Sequence, residues 1–278
     1  MEFFQQHSTA WLLGLALALL ATGLLAGVLA GLLGVGGGIV IVPVLYHLFT
    51  LLGIDESVRM HVTVGTSLAT IVPTSIMSSR AHRKRGSLDM ALIRRLMPWV
   101  VTGVLVGSVA SRFLSGTSLT AVFASVALVV ALNMAFKRDG FALRDGLPGT
   151  PGTALIGSGI GGVSTLMGIG GGTLSVPILN ALRVPMHTAV GTGAMLGMVI
   201  SIPGAVAFLL NGLDVPLRPP FSLGYVNLLG MALIVPATML TTDWGAKLAH
   251  RIDARRLRQV FAAFLALTAL RMFYSLLT

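Results

Sequence analysis

Long apolar runs, rather than short alternations, organise this chain. Trp11 to Leu33 is 23 residues without a charge. Further uncharged stretches cover 60–79, 96–111, 118–136, 153–182, 188–211 and 222–242. A last one, 257–277, is apolar apart from Arg258 and Arg271. About 20 apolar residues carry a helix through the hydrocarbon of a bilayer. Each run therefore predicts a span, and 153–182 predicts one interrupted by glycines. Charges and turn formers cluster between the runs, as in "RAHRKRG" (80–86) and "GIDES" (53–57).

Composition agrees with that pattern. Of the 278 residues 55% are hydrophobic and 10% are charged, against about 25% charged in soluble domains. The net charge of +10 does not signal nucleic acid, because the basic residues lie in short loops beside spans, where membrane topology puts them. Cysteine is absent, which removes disulfides, thiolate metal sites and cysteine nucleophiles. The first run is too long for a signal peptide and lacks a basic leading segment, so it is expected to be retained.

The chain repeats itself. "GVGGGIVIVPVL" (34–45) returns as "GIGGGTLSVPIL" (168–179), a shift of 134. "MHVTVGTS" (60–67) returns as "MHTAVGTG" (186–193). At a shift of 138, Gly107 pairs with Gly245, Phe123 with Phe261 and Met134 with Met272. Two halves follow, 1–140 and 153–278, joined by a charged, Gly/Pro-rich linker at 141–152.

Loop charge orients the halves. Lys and Arg number six in 80–95 but one in its counterpart 211–222, and one in 112–118 but five in 244–258. The bias swaps sides between repeats, so the repeats are inverted and each crosses the membrane an odd number of times. Five crossings per half, or three plus a re-entrant hairpin, both fit. The expected fold is an all-α polytopic membrane protein of two inverted-topology repeats. It has eight to ten transmembrane segments, with helices broken at the glycine motifs. The linker falls inside, and both termini fall on the outer side of the cell membrane.

The glycine triplets carry the candidate chemistry. A dinucleotide loop needs a preceding strand, and here a membrane-length helix precedes. Helix packing explains Gly23, Gly27 and Gly31, and Gly157 and Gly161, which recur every fourth residue. Consecutive glycines point in different directions and do not form one such face. Inverted-repeat carriers place broken helices at matching positions, with half-helix N-termini aimed at anionic substrate. Free N–H groups there carry partial positive charge. The expected anion donors are the N–H groups of Gly36, Gly37, Gly38, Gly170, Gly171 and Gly172. Thr66, Ser67 and Thr192 stand beside them as hydroxyl candidates, with bonding to their own helix as the alternative.

At these residues the chain resembles the sulfite exporter TauE/SafE family, also called the toluene sulfonate uptake permease family. The resemblance rests on G-x-G-G-G-x-x-x-V-P followed by V-G-T, once per half, and covers nearly the whole chain. The second half departs at Gly193, where the first has Ser67. The resemblance implies a transporter of sulfur-containing anions: sulfite, sulfonates, sulfoacetate or thiosulfate.

The other polar residues carry plainer expectations. His61 and His187 are expected at span ends, at the interface. His82 and His250 are expected in basic loops, and His47 deeper. Arg271 is expected to snorkel. Asp243 is expected to end the span 222–242 beside Trp244. Asn133, Asn180, Asn211 and Asn227 either line a cavity or bond between helices. No catalytic, ATP-binding or metal motif appears, so a non-enzyme without cofactor is expected. Its partners would be a small anion, the bilayer and a coupling ion, proton or sodium. The competing classes are an anion channel, or an intramembrane enzyme or scaffold without flux.

Overall fold

The computed structural model describes residues 9–136, 145–248 and 254–276. They form ten helices and one short antiparallel hairpin, Ser222–Leu223 with Val226–Asn227. The first half supplies α1 (Thr9–Leu33), α2 (Gly38–Leu51), α3 (Glu56–Lys84), α4 (Met90–Ala110) and α5 (Gly116–Phe136). The second supplies α6 (Thr150–Met167), α7 (Gly172–Ala181), α8 (Met186–Asn211), α9 (Leu228–Leu248) and α10 (Ala254–Tyr274). The fold is an all-α polytopic membrane protein. Five helices (α1, α4, α5, α8 and α9) are long and apolar enough to cross a membrane. Their outward faces carry exposed apolar side chains such as Leu17, Leu25, Val106, Val129, Val206 and Leu240, as lipid contact requires.

Two expected spans are corrected. The run 60–79 lies inside the 29-residue α3, which is too polar to count as a span by composition. Its hydroxyls are shielded by protein, not lipid: Thr63, Thr66, Ser67, Thr70, Thr74, Ser75 and Ser78 are all fully buried. Most bond back along the helix, as Thr63 does to the Arg59 carbonyl and Thr74 to that of Thr70. The run 222–242 does not start as a helix. Its first six residues form the hairpin and α9 runs on to Leu248, so Asp243 and Trp244 are exposed within the helix.

The halves interleave. α1 packs along α9, and its counterpart α6 packs along the counterpart α4. α3 packs on α8, and α5 on α10, each helix against its own repeat partner. Small residues permit the first two contacts. A β-carbon on Gly23 would stand 2.6 Å from the Ile234 carbonyl oxygen, and one on Gly157 2.6 Å from Trp99 Cβ. Gly27, Gly31 and Gly161 also lie directly against partner backbone, so these glycines serve packing, as their spacing predicts.

The contacts also define two ends. At one end Asn211 Nδ2 donates to the Ser108 carbonyl at 3.0 Å, His61 Nε2 lies 3.2 Å from the Ser111 carbonyl, and Gly116 lies against Glu56. At the other, Gly146 N–H donates to Leu182 at 3.0 Å and Arg183 pairs with Asp145 at 2.9 Å. Of the 19 Lys and Arg, Arg59, Arg112, Arg218 and Arg271 belong to the first end. Arg80, Arg83, Lys84, Arg85, Arg94, Arg95, Arg183 and Lys247 belong to the second. The linker residues 137–144 and His250 lie outside the described residues.

Candidate functional site

The local chemistry of each triplet stops one helix and starts another. α1 ends at Leu33, and Gly34, Gly36 and Gly37 take φ of 65°, 70° and 80°. That left-handed region costs other residues roughly 1–2 kcal/mol. The chain reverses and α2 begins at Gly38, with Gly37 as its N-cap and no side-chain cap. In the second half α6 ends on left-handed Gly168, and α7 begins at Gly172. α2 and α7 have 14 and 10 residues, or about 21 and 15 Å at 1.5 Å per residue. They are half-helices, each with a proline inside, Pro43 and Pro177.

The two triplets meet. A β-carbon on Gly36 would stand 3.5 Å from Gly170 Cα, and one on Gly170 3.2 Å from Gly36 Cα. These two glycines are repeat partners, so the pseudo-twofold axis passes between them. Gly38 lies against the Gly168 carbonyl and Gly172 against that of Gly34, again a matched exchange. Gly37 instead faces Ala26 of α1, and Gly171 faces Leu196 and Gly197 of α8. Three consecutive positions thus press on three different neighbours, which is why one packing face does not account for them.

All six glycines are buried. Among the described residues, the N–H groups of Gly36, Gly37, Gly38, Gly170, Gly171 and Gly172 donate to no backbone carbonyl. The first bonds of the new helices begin later, at Val40 onto Gly37 and Ser175 onto Gly171. An unsatisfied buried donor costs about 1–3 kcal/mol. Two half-helix N-termini therefore converge on the axis with their donors unspent within the backbone, each carrying the positive end of its dipole.

The three hydroxyls separate in role. Ser67 Oγ donates to the Gly168 carbonyl at 2.6 Å, fastening α3 to the opposite triplet. Thr66 Oγ1 accepts from the Asn227 N–H at 2.8 Å, at the hairpin. Thr192 Oγ1, the counterpart of Thr66, is buried without a hydrogen-bond partner.

Several expectations are corrected here. His61, at one end of the molecule, is buried within the protein and stacked on Tyr225 at 4.9 Å. His82 is not in a loop; it ends α3, buried, with Nε2 3.3 Å from the Gly31 carbonyl. Asn227 does both: it edges a largely apolar cavity with Leu45, Pro220 and Gly230, and it caps α9, its Oδ1 accepting from Gly230 N–H at 2.8 Å and its Nδ2 donating to Pro220 and Ser222. Asn211 takes the interhelical role, and Asn133 is exposed. Sequence reasoning missed Asp89, which caps α4 by accepting from Leu92 N–H at 2.9 Å. The signal was present: Asp89 and Asn227 are 138 apart, the shift that pairs Gly107 with Gly245. It also missed Ile71, whose side chain covers Gly36 and Gly38, while its counterpart Gly197 has no side chain and packs its backbone directly on Gly171.

Inward-facing half-helices at the crossing of two interleaved repeats define a class, the polytopic membrane transporters. Comparison with known proteins names the family. The sulfite exporter TauE/SafE family model matches residues 19–272, and the chain belongs to that family. A probable membrane transporter protein of Haemophilus influenzae is 35% identical over 257 residues, covering 91% of this chain and 96% of its own. The probable membrane transporter protein YunE of Bacillus subtilis is 26% identical, covering 92% and 96%. One from Methanocaldococcus jannaschii is 27% identical, covering 91% and 94%. No solved structure matches the chain.

Proposed function

We propose that this transporter is a secondary carrier for small sulfur-containing anions, sulfite or sulfonates, working by alternating access in the cytoplasmic membrane. The observation that carries this reading is the pair of half-helix N-termini at the pseudo-twofold axis. Their unspent N–H groups are the donors that oxyanions take at helix starts. Neutral donors hold an anion without a fixed counter-charge, which suits a site that must also release its cargo. The family's name points to sulfite as one cargo. The basic end faces the cytoplasm under the positive-inside rule, which puts both termini outside.

In this proposal the expected site residues divide the work. The glycines supply the N–H groups. Ser67 positions the second triplet through the Gly168 carbonyl, and Thr66 ties the hairpin to α3. Thr192 is the hydroxyl still free to meet cargo. With no ATP-binding motif in the chain, flux would follow the substrate gradient or a coupled proton or sodium gradient.

The test is flux through purified protein in liposomes. Saturable uptake of radiolabelled sulfite or a sulfonate, accelerated by unlabelled anion on the opposite side, is the expected result. Unsaturated flux without counterflow would make the protein a channel. The absence of any flux would leave a non-transporting role and overturn the proposal.

A further inference from the structure

A polar cavity lies at the outer end, away from the glycine crossing. It has a volume of about 150 Å³ and is bounded by α2, α3, α5 and α10. Tyr46, Glu56, Arg59, Thr117, Thr120 and Ser275 line it. A bound water needs about 10–15 Å³ of such space, and drug-sized ligand sites start near 300 Å³. The cavity therefore suits a small polar ion with a little water.

Among the described residues that line it, the one cation is Arg59, and it is held in place. The Arg59 side chain is 12% exposed. Its Nε and Nη2 donate to the Ile54 carbonyl at 3.0 and 2.8 Å, and its Cζ lies 5.8 Å from the centre of the Tyr46 ring. A guanidinium has five N–H donors, so three stay available after Ile54. Glu56 approaches Nη1 only at 3.5 Å and is itself 82% exposed. Such a pair offsets little of the charge. Topology works against this placement, because cations concentrate at the opposite, basic end. A preorganised, weakly paired arginine at the cation-poor end, facing a cavity edged by hydroxyls, is the arrangement that takes oxyanions bidentately.

We propose that this cavity is an outer vestibule that binds a small oxyanion of the sulfite or sulfonate class through Arg59, with Glu56 as an electrostatic brake on its affinity. The vestibule rests on the carrier reading above for its purpose, but not for its chemistry. Arg59 recruits or retains anion at the outer mouth, and the glycine crossing does the translocating.

The test is the thermal midpoint of the purified full chain titrated with methanesulfonate or sulfite at constant ionic strength, since ligand binding raises it saturably. Each variant is measured alone and on a Gly171→Val background, which removes the central site. Arg59→Gln should raise the half-saturating concentration about tenfold, the loss of a charge-assisted bond. Glu56→Gln should lower it about threefold, a change of opposite sign that loss of structure does not produce. Should Arg59→Gln fail to fold, Glu56→Gln alone decides. Saturation unaffected by either substitution, or lost entirely with Gly171→Val, overturns the vestibule. Saturation that depends on Arg59, in a protein that moves no sulfur anion in liposomes, leaves the vestibule standing and removes the carrier.

Discussion

The first and second glycine crossings have nearly the same sequence and different conformations. Gly34 and Gly168 agree, with φ of 65° and 67°. Three residues on, Gly37 is left-handed at φ 80° while Gly171 is right-handed at −59°. Around them the contrast continues. The Ile71 side chain covers the first triplet, where the bare backbone of Gly197 packs on the second. Thr66 holds the Asn227 N–H, whereas Thr192 holds nothing. Under the alternating-access proposal, a repeated sequence in an asymmetric structure would be one member of a pair of states. The partner state would exchange the two conformations, and that exchange is what alternating access between inverted repeats needs.

The comparison can be broken at its strongest point first. Gly38→Val or Gly172→Val places side-chain atoms against the opposite backbone, where even a β-carbon already overlaps. Transport should fall to background in liposomes, with the protein still inserted in the membrane. Gly37→Ala comes next. It penalises the left-handed state by roughly 1–2 kcal/mol and so shifts the population toward the partner state about tenfold. Single cysteines at positions 66 and 192 would report this, because the chain has none of its own. Labelling at 66 should rise and labelling at 192 should fall.

Smaller effects sharpen the same contrast. Thr66→Val strands the buried Asn227 N–H and should lower stability in detergent by about 1–3 kcal/mol. Thr192→Val removes a hydroxyl that bonds to nothing, so its melting temperature should stay level or rise. Equal losses from both would erase the asymmetry at the hydroxyls. Asp89→Ala and Asn227→Ala remove matched caps worth about 1 kcal/mol each. The Asn227 variant should lose more, because that side chain also holds Pro220 and Ser222.

Much of this was legible before any fold was known, and the reason is physical. Membrane helices announce themselves by uncharged length, and loop cations by sign, so the class and the repeat followed from Trp11–Leu33 and its successors. The triplets stood out because no helix tolerates Gly36, Gly37 and Gly38 together. What escaped was pairing in space. That Gly36 would lie on Gly170 depends on how the halves interleave, and no local pattern encodes it. That the hydroxyls of α3 would all face protein escaped for a related reason, since the uncharged run 60–79 does not show which neighbours cover it. The hairpin before α9 was missed because a run of apolar residues does not mark where a hairpin ends and a helix begins, and His82 was placed in a loop because α3 runs on through the basic residues to Lys84.

The most direct measurement is an experimental structure of the protein with selenite, a heavy-atom stand-in for sulfite, located by anomalous scattering. Binding at the crossing predicts a selenium peak on the pseudo-twofold axis, its oxygens about 2.7–3.2 Å from N–H groups of Gly36–Gly38 and Gly170–Gly172. A peak only elsewhere, with those N–H groups bonded to protein or water, would contradict the crossing as the anion site.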